Sequence, residues 1–454
     1  PPPRCGGAAE PGTSGPIGGQ DDGQDDGQVG ADPGRAAGPV GGSGEPAVSS
    51  AGDRAERDRP LTVLLVSPVG ARDVHSGDVT YTAELLATPP PGVRYVTYDE
   101  ALHAGTLVEL GRWRGPSGPP RTPQAVAVAG AAKAEAVLRR SGLVFREPVR
   151  HFQVTPGAFD LVHAHVFHTA FHGAHPPVVM SAGAPLAWLY RDAWGWGPTR
   201  LRMATAFDGT VARWSRASMG THHKGQARRF VSPSRFLRDW LVATGWPADR
   251  VDVVPNYCAD PLADLPTGAG WARPRSTVPT IGFVAKDFDA KGGDLVVQAH
   301  ARLRARHPDL RLVIVGSAPR LPEAELAARG ISWTAVVPRQ ELLDQVLPHL
   351  DVLAHPSGVD ALPYSVMEAL GRGIPALVSD HTSLPEMVED GAGVAVPRTV
   401  EAVTEGLDRL LSPAVWAAAS LAARAHFERR FSARTQAPAL GQAYRAALSQ
   451  GAVQ

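Results

Sequence analysis

The chain has 454 residues, 43% of them hydrophobic and 20% charged, and its 45 Lys and Arg side chains equal its 45 Asp and Glu side chains. A chain of this length is too long for one ordinary hydrophobic core, which predicts two domains. The balanced charge excludes a global field that would recruit nucleic acid, so an anionic ligand has to be held by a local cluster.

Cysteine usage and hydropathy predict the setting of the protein. The two cysteines, Cys5 and Cys258, are far apart in sequence and form neither a disulfide framework nor a metal-binding spacing, which fits a reducing cytosol. No apolar run reaches the roughly 18 residues that a transmembrane helix needs. The first residues lack the basic and apolar regions of a signal peptide. We therefore expect a cytoplasmic protein.

The elements, taken in chain order, begin after a tail. Residues 1–59 consist mainly of Gly, Pro, Ala and Asp, and a segment with so few large apolar side chains predicts disorder. Over 60–262, apolar strand-like runs alternate with amphipathic helices, which predicts an α/β domain with a mostly parallel sheet. The predicted strands are LTVLLVSPVG (61–70), RYVTY (94–98), FDLVHAHV (159–166), PVVMS (177–181), RRFVSPS (228–234) and DRVDVVPN (249–256). The predicted helices are HSGDVTYTAELLA (75–87) and SRFLRDWLVATG (234–245).

A second α/β series follows a linker over 263–278 that is rich in turn-forming residues. The second domain covers 279–435, and residues 436–454 predict a C-terminal helix that can pack back on the first domain. The predicted strands are PTIGFVA (279–285), LRLVIVGS (310–317), WTAVV (333–337), DVLAHPS (351–357) and GVAVP (393–397). Two doubly wound domains of this kind bind ligands in the cleft beyond the carboxyl ends of their strands.

The stretch DALPYSVMEALGRGIPALVSD (360–380) places one carboxylate before a helix and another inside it. Asp360 belongs to the loop after a strand, and Glu368 lies about five residues into the helix, roughly 7.5 Å along its axis. The two carboxylates could therefore hold two parts of one elongated polar ligand. A loop or cap role for Asp360 and a solvated position for Glu368 fit the pattern equally well.

The start of the same helix predicts a phosphate site. Pro363 suits the first helical position because it has no N–H to leave unpaired. The next three amides, those of Tyr364, Ser365 and Val366, are then unpaired at the positive end of a helix, where anions bind readily.

The loop VAKDFDAKGG (284–293) follows the first strand of the second domain. Lys286 and Lys291 flank its turn, and two ammonium groups beside a helix N-terminus suit a diphosphate, although single loop lysines are more often solvated. Asp287 and Asp289 match a D-x-D metal motif, but a lysine on either side favours a chance match. We therefore expect no metal site here.

The histidine-rich stretch FDLVHAHVFHTAFHGAH (159–175) places His163 and His165 on one side of a strand end. A zinc site would need further carboxylate or cysteine ligands, which the nearby sequence does not offer. A hydrogen bond from a histidine to a sugar hydroxyl is favoured, and a packed structural histidine is the alternative.

Two further segments remain open between functional and structural interpretations. Aromatics in WLYRDAWGWG (188–197) could stack on a sugar or fill a hydrophobic plug. Residues 200–229 carry seven Arg or Lys against one acid, Asp208. Such a surface is usually solvated, but it could also meet an anionic acceptor or a membrane.

The chain from about 61 to 435 resembles glycosyltransferase family 4 (glycosyl transferases group 1), which has the GT-B fold of two Rossmann-like domains facing each other across a cleft. The matching segments follow the order of the family, and this order makes the resemblance specific. They are SGDVTYTAELLA, FDLVHAH, RRFVSPSRFLRDWL with DRVDVVPN, VAKDFDAKGG, LRLVIVGSAP, DVLAHPS, DALPYSVMEALGRGIPALVSD and SLPEMVEDGAGVAVP.

The resemblance implies a nucleotide-diphosphate sugar as co-substrate, no separate cofactor, and a transfer that retains the anomeric configuration without a metal. By position, Asp360 is the first acid of the family's E-x7-E motif, near the transferred sugar, and Glu368 is the second acid, at the ribose hydroxyls. Lys286 and Lys291 occupy the Arg and Lys positions of the diphosphate-binding loop.

The remaining residues of the implied donor site lie in both domains. Gly77 falls in the glycine loop of the first domain, and His165 is the second histidine of the H-x-H segment beside the donor sugar. Glu386 follows the proline of the motif that closes the nucleotide pocket. The helix start completes the donor site through Leu362, Pro363, Tyr364 and Ser365.

The sequence departs from the family pattern at three places. Asp360 replaces a Glu and is shorter by about 1.5 Å, which leaves the identity of the donor sugar open. Lys286 replaces an Arg and keeps the charge without its bidentate geometry. The motif G-G-x-P-E reads Thr-Ser-Leu-Pro-Glu over 382–386.

The sequence thus predicts a bacterial, retaining, metal-independent glycosyltransferase, with catalytic roles for His165, Lys286, Lys291 and Asp360. Its expected acceptor is a small molecule, a glycan or a lipid-linked compound, with peripheral membrane contact as a further option. A GT-B sugar-nucleotide epimerase and a non-catalytic nucleotide-sugar binding protein are the alternatives. A nicotinamide dehydrogenase is disfavoured because SPVGARDVHSG (67–77) lacks G-x-G-x-x-G after the first strand.

Overall fold

The computed structural model describes most of the chain beyond its first 58 residues. The described ranges are 59–67, 77–110, 123–147, 149–165, 168–184, 186–192, 195–215, 226–263 and 273–449. The predicted tail up to residue 58, most of the predicted linker (264–272) and the last five residues of the predicted C-terminal helix lie outside this part. Parts of three further segments also lie outside it: residues 68–76 at the glycine loop before α1, 193–194 in WLYRDAWGWG, called here the aromatic loop, and 216–225 in the basic segment over 200–229.

The described residues contain fifteen strands and thirteen α-helices. The strands are β1 (Leu61–Val66), β2 (Val93–Thr97), β3 (Leu107–Leu110), β4 (Arg150–Val154), β5 (Leu161–His165), β6 (Thr169–Phe171), β7 (Val178–Ser181), β8 (Ala227–Ser232), β9 (Val251–Val253), β10 (Thr280–Ala285), β11 (Arg311–Gly316), β12 (Ile331–Thr334), β13 (Val352–His355), β14 (Ala376–Ser379) and β15 (Gly393–Val396). The helices are α1 (Gly77–Ala87), α2 (Tyr98–His103), α3 (Pro123–Arg140), α4 (Leu186–Asp192), α5 (Pro198–Ser215), α6 (Arg235–Ala243), α7 (Gly293–Leu303), α8 (Glu323–Ala328), α9 (Arg339–Glu341), α10 (Tyr364–Gly371), α11 (Val400–Leu411), α12 (Pro413–Arg430) and α13 (Ala433–Ser449).

Two parallel six-stranded sheets form the frame of the molecule. The first has the order β2-β1-β5-β7-β8-β9 and the second the order β12-β11-β10-β13-β14-β15. Their central strands are mostly apolar and almost entirely buried, as expected for parallel strands covered by helices on both sides. The predicted α/β architecture of two Rossmann-like doubly wound sheets is therefore confirmed.

The register of the second sheet brings several loops to one edge. Gly282 of β10 pairs with Leu353 of β13, and Leu353 pairs with Ala376 of β14. Because these strands are parallel, their carboxyl ends at Ala285 and His355 lie side by side. The loops that follow β10 and β13 consequently share one edge of the sheet, where ligands of open α/β sheets bind.

A small third sheet has the order β3-β4-β6. In the sequence, its strands are interleaved with those of the first sheet. The predicted strands and helices assign no element to 99–158 or 182–227, so α2 to α5, β3 and β4 were missed. Charged residues inside these short strands hid the pattern. The guanidinium of Arg150 donates two hydrogen bonds of 2.8 Å to the buried carboxylate of Glu109.

The segment between β11 and β13 also differs from its prediction. Its strand ends at Thr334 instead of continuing to residue 337. The helix that the sequence RQELLDQVLPHL (339–350) predicts is broken, because α9 continues as a π-helical turn (Leu342–Val346) and a 3-10 turn (Leu347–His349). Pro348 explains the break, since its ring and missing N–H disrupt an α-helix.

The C-terminal helix α13 lies on the first sheet. The hydroxyl of Tyr444 is 2.6 Å from Nδ1 of His163 and 2.8 Å from the hydroxyl of Tyr95. The chain crosses between the sheets near Cys258, whose N–H donates to the carbonyl of Phe431 at 3.1 Å. Among the described residues, no helix combines the length and apolar character needed to cross a membrane.

Candidate active site

The loop after β10 is a tight turn that ends against the loop after β13. Its backbone is closed by hydrogen bonds, among them the one from the Ala290 N–H to the Asp287 carboxylate at 2.9 Å. Gly292 has a φ of 82°, and a Cβ there would lie 2.5 Å from the carbonyl oxygen of Pro356. Only glycine fits this approach. The turn therefore holds Lys291 directly beside Asp360.

The two aspartates of the D-x-D sequence have structural partners. Asp287 accepts the N–H of Ala290, and Asp289 pairs with Arg320. In the described part of the chain, no group of three or more His, Cys, Asp or Glu side chains has a metal-binding arrangement.

Asp360 is held by two groups on the same oxygen. Its Oδ2 lies 2.7 Å from Nζ of Lys291 and 2.7 Å from Nε2 of His355. Burial would raise the pKa of this carboxyl, but Lys291 and His355 overcome that effect and lower the pKa to about 2. Asp360 is therefore ionised at neutral pH.

The sequence analysis did not predict a role for His355, which is the last residue of β13 and lies five residues before Asp360. Its side chain is 3% exposed, and it lines the same cavity as Lys291 and Asp360. A histidine at the carboxyl end of a central parallel strand was the available signal, since such positions face the ligand edge.

The loop around Asp360 is fixed by the segment that departs from the family's G-G-x-P-E motif. The hydroxyl of Thr382 donates to the carbonyl of Asp360, and the hydroxyl of Ser383 donates to that of Ala361 at 2.6 Å. Thr382 has a φ of 55°, a backbone conformation that glycine adopts more easily. Two hydroxyls thus stabilise the loop here.

The helix start differs in detail from its prediction. Pro363 is the cap residue before α10 and not its first helical residue. The amide of Val366 is not free, because it donates to the carbonyl of Pro363 at 3.1 Å. The anion-binding amides expected here are thus reduced to those of Tyr364 and Ser365.

Glu368 is buried inside α10 and shares an arginine with the first domain. Its Oε1 accepts a hydrogen bond of 2.6 Å from Nε of Arg339. Arg339 also lies 2.6 Å from the carboxylate of Glu84 on α1. Burial raises the pKa of Glu368, Arg339 lowers it and Glu84 raises it, with a net shift upward.

A cavity of about 410 Å³, called here the larger cavity, joins these groups. It lies between the carboxyl edge of the second sheet and α1 of the first domain. The predicted residues on its wall are Gly77, Lys286, Lys291, Asp360, Pro363, Tyr364, Ser365 and Glu368. Its size falls within the range of small-molecule sites, about 300–1,000 Å³.

A second cavity of about 320 Å³, the smaller cavity, shares Asp360 and Lys291 with the larger one. Leu362 lies on this smaller cavity, whereas it was expected to bind the donor together with the helix start. The other side is made by the first domain. That part of the wall is mostly apolar and includes Met180, Leu189, Phe230, Leu237 and Leu241.

The H-x-H segment lies behind the cavity surface. His165 is 3% exposed, its Nδ1 is 2.7 Å from the hydroxyl of Ser181, and its Nε2 is 3.3 Å from the carboxylate of Asp78. Asp78 lines the smaller cavity, and His165 is not among the described residues of its wall. His163 is fully buried between Tyr444 and Ser181, which is the packed structural role.

Glu386 lies at the domain interface and not on the described wall of either cavity. Its carboxylate accepts the backbone N–H groups of Arg235 at 3.1 Å and Phe236 at 2.9 Å, at the start of α6. It therefore caps a helix of the first domain. The family resemblance implied a place beside the nucleotide, and the sequence alone does not show which helix docks against Glu386.

The aromatic loop acts mainly as a hydrophobic plug. Trp188 packs on Phe236 and Trp240, with ring centroids 4.8 Å and 5.7 Å apart. Tyr190 and Trp196 are buried as well, against each other.

Comparison with known proteins identifies a family that the second domain resembles. Residues 272–424, which include every residue of the second-domain loops described above, match the family model Glycosyl transferases group 1. This match covers most of the second domain. The predicted family resemblance is thereby confirmed for the part of the chain that carries Lys286, Lys291, Asp360 and Glu368.

The curated relatives of this chain are distant. The GDP-mannose-dependent alpha-(1-6)-phosphatidylinositol monomannoside mannosyltransferase of Mycolicibacterium smegmatis is 28% identical over 212 residues, which are 43% of this chain and 56% of the relative. The alpha-D-kanosaminyltransferase of Streptomyces kanamyceticus is 26% identical over 178 residues, 36% of this chain and 46% of the relative. The chain thus spans about half the length of these two relatives.

Solved structures confirm the GT-B fold over nearly the whole described chain. A glycosyltransferase from Rickettsia africae superimposes with a TM-score of 0.53 at 15% identity, covering 86% of this chain and 100% of that one. The sucrose-phosphate synthase from Thermosynechococcus elongatus gives a TM-score of 0.53 at 16% identity, covering 85% and 98%.

Proposed function

We propose that the protein is a retaining glycosyltransferase that moves a sugar from a nucleotide-diphosphate sugar to a hydroxyl of an acceptor. The observation that carries this proposal is the larger cavity between the two sheets. Its wall combines two lysines, a helix N-terminus and two carboxylates, the groups that an elongated, doubly charged donor requires.

The diphosphate is proposed to bind at Lys286, Lys291 and the start of α10. The departing nucleoside diphosphate gains negative charge during transfer, and fixed positive groups at that place lower the barrier. The two ammonium groups and the amides of Tyr364 and Ser365 supply this charge. In the proposed reaction this stabilisation needs no metal ion.

The transferred sugar is proposed to lie at Asp360, between the two cavities. Its ionised carboxylate accepts hydrogen bonds from hydroxyl groups, and the acceptor approaches from the smaller cavity on the same face as the leaving group. This front-face geometry corresponds to retention of configuration. The short Asp360 side chain keeps the carboxylate in contact with Lys291 and leaves more room for the sugar than a glutamate would.

The acceptor is proposed to bind in the smaller cavity, whose first-domain wall is mostly apolar. A small hydroxylated molecule, a glycan end or a lipid-linked sugar all fit such a wall. Contact with an anionic membrane surface is a further part of the proposal. It is supported by the exposed apolar side chains of Leu143 and Met203 beside the exposed Arg200 and Arg202. We place the reaction in the cytoplasm of a bacterium.

The test begins with UDP-, GDP- and dTDP-sugars, screened by thermal shift and then incubated with panels of hydroxylated small molecules, oligosaccharides and lipid-linked sugars. We expect one donor class to raise the melting temperature, and a product whose new linkage has the donor's anomeric configuration. A product of inverted configuration would contradict the retaining mechanism.

The two alternatives give different outcomes in the same experiment. Epimerised nucleotide sugar as the main product, without acceptor, would favour an epimerase. Tight donor binding with neither transfer nor epimerisation across all panels would favour a non-catalytic binding protein.

A further inference from the structure

The inference concerns Arg339, which links the two domains at the end of the larger cavity. Its Nε donates to Oε1 of Glu368 at 2.6 Å, and its Nη1 lies 2.6 Å from Oε1 of Glu84. Glu368 belongs to α10 of the second domain, and Glu84 belongs to α1 of the first. One guanidinium therefore serves two carboxylates from opposite sides of the cleft.

Both carboxylates are buried, whereas the guanidinium is partly open. The side chains of Glu84 and Glu368 are each 3% exposed, and that of Arg339 is 38% exposed. The two buried carboxylates share Arg339 as an ion-pair partner, which strongly constrains its position, because removing it takes that partner from both. Arg339 is thus confined to a position between them.

Glu84 is itself fixed at the place where the chain crosses between the domains. Its Oε2 accepts the backbone N–H of Ala259 at 2.8 Å. The next residue, Asp260, is paired with Arg424 of α12. Glu84 therefore uses one oxygen to hold the crossing segment and the other to hold Arg339.

The same groups form the wall of the larger cavity. Arg339 and Glu368 line it from the second domain, and Thr80 and Ala83, on the turn of α1 that precedes Glu84, line it from the first. The hydrogen bond from Arg339 goes to Oε1 of Glu368. Since a carboxylate has about four acceptor positions, one such bond leaves capacity for two hydroxyl donors.

We propose that Arg339 and Glu84 are positioning residues for recognition of the nucleotide ribose, so that the first domain completes the nucleotide site of the second. Arg339 holds the Glu368 carboxylate in the orientation that accepts both ribose hydroxyls, and Glu84 keeps Arg339 from closing over that carboxylate. The inference rests on the proposed function, because it takes Glu368 as the ribose-binding residue.

The substitution Glu84→Gln separates this role from general packing. Glutamine has the same shape but one acceptor oxygen, so it cannot serve both Arg339 and the Ala259 N–H. Arg339, released from its first-domain partner, then pairs with both oxygens of Glu368 and competes with the ribose. Arg339→Lys tests the same arrangement, because lysine keeps the positive charge but lacks the planar guanidinium that can donate to two acceptors in fixed directions.

The experiment is a calorimetric titration of the full chain with UDP, GDP and dTDP, followed by the 2′,3′-dideoxy counterpart of the tightest binder. For UDP or GDP the comparison tests both ribose hydroxyls, and for dTDP, which has no 2′-hydroxyl, it tests the 3′-hydroxyl. The measured quantity is the ratio of the two dissociation constants, which reports the sugar hydroxyls alone. We expect a ratio of about 10 or more in the wild type, since hydrogen bonds to a charged group contribute that much or more. The ratio should fall to within about threefold in Glu84→Gln and Arg339→Lys.

The matched control is Glu401→Gln, which breaks the exposed ion pair with Arg302 on the outer face of the second domain. It should keep the wild-type ratio. Melting temperatures of all variants show whether each is folded, and a loss of overall stability alone would weaken both ligands without changing their ratio.

The outcomes are distinct. An unchanged ratio in folded Glu84→Gln and Arg339→Lys overturns the inference and leaves the proposed function standing. A wild type that binds none of the three nucleotides, or binds without any preference for the sugar hydroxyls, overturns the ribose site and with it this inference.

Discussion

Asp360 and Glu368 lie eight positions apart in one stretch, yet their environments have opposite effects on their charge. The pKa of Asp360 is lowered to about 2, whereas that of Glu368 is raised. Asp360 has Lys291 and His355 as partners within its own domain. Glu368 shares Arg339 with a competing carboxylate from the other domain.

The comparison teaches that the partner supplied by the fold sets the charge of each carboxylate. Burial raises the pKa of both, and the balance between nearby positive charges and a competing carboxylate decides the net direction. The ion-pair partners of Asp360 thus come from its own domain, whereas those around Glu368 depend on how the two domains meet. The predictions below ask whether the two ends differ in this way.

The largest expected effect is that of Lys291→Met. It removes one of the two ammonium groups proposed to stabilise the leaving diphosphate and leaves Asp360 with His355 alone. Release of nucleoside diphosphate from the donor should slow by about 100-fold, as for loss of one preorganised donor at a developing negative charge. Lys133→Met, an exposed lysine on α3, is the matched control and should keep the wild-type rate. Equal rates in both variants would remove Lys291 from the reaction.

The next effect belongs to Asp360→Asn, which keeps the shape of the side chain and removes its charge. Lys291 and His355 lose their ionised partner, and the sugar loses a strong acceptor. We expect transfer to slow by about 10- to 100-fold, because hydrogen bonds to charged groups are worth about 1.5–3 kcal/mol. The nucleoside diphosphate without its sugar should still bind with nearly wild-type affinity. Asp309→Asn, at an exposed position after α7, is the control. If Asp360→Asn lost affinity for the nucleoside diphosphate without its sugar, Asp360 would have been placed at the wrong end of the donor.

The role proposed for Glu368 is tested by the pH dependence of nucleotide affinity. Ribose hydroxyls donate to the ionised carboxylate, so affinity is present above the pKa of Glu368 and is lost as the pH falls through it. The charged and titratable groups that face Glu368 are Arg339, Glu84, Arg372 and Cys258. Removing the cation in Arg339→Met raises the pKa of Glu368 further, so the loss of affinity should begin at higher pH in this variant.

The measurement is nucleotide affinity from pH 5 to 9, with the 2′,3′-dideoxy nucleotide as reference. Since the reference cannot use Glu368, its affinity should change equally in wild type and Arg339→Met. A midpoint that does not move between the two proteins would show that Arg339 has no influence on the charge of Glu368.

Much of the second domain could be predicted from the sequence because its signals are local. The β10 loop, the β13 loop and α10 follow one another as strand, turn and helix, and Lys291, Asp360 and Glu368 sit at their expected places on these elements. His355 could also have been found, since it ends a predicted strand. Arg339 gave a weaker signal, as a charged residue following a predicted strand of the same sheet.

The contacts between domains could not be predicted, because they depend on docking and not on local pattern. Nothing in the sequence around Glu84 indicates that it meets Arg339, more than 250 positions away in the chain. Glu386 shows the same limit, since its partners are amides of a helix in the first domain. The small third sheet was missed because Glu109 and Arg150 interrupt its apolar pattern.

The smallest expected effect is that of Glu386→Gln, a carboxylate with a structural role at the interface. It caps the start of α6, and loss of a helix cap costs about 1 kcal/mol of the free energy of unfolding. The free energy can be measured by urea denaturation. Glu389→Gln breaks only the exposed pair with Arg235 and should change the stability by less than about 0.5 kcal/mol. A loss of nucleotide affinity in Glu386→Gln as large as in Glu368→Ala would contradict the separation of ligand and interface carboxylates.

The most direct test of the central claim is calorimetric titration of the wild type, Lys291→Met and Lys133→Met with UDP and GDP. The account predicts a single site for one of these nucleotides in the wild type and in Lys133→Met, with affinity reduced by about tenfold or more in Lys291→Met. Equal affinity in all three proteins, or no binding of either nucleotide to the wild type, would contradict a nucleotide-diphosphate site between the two sheets.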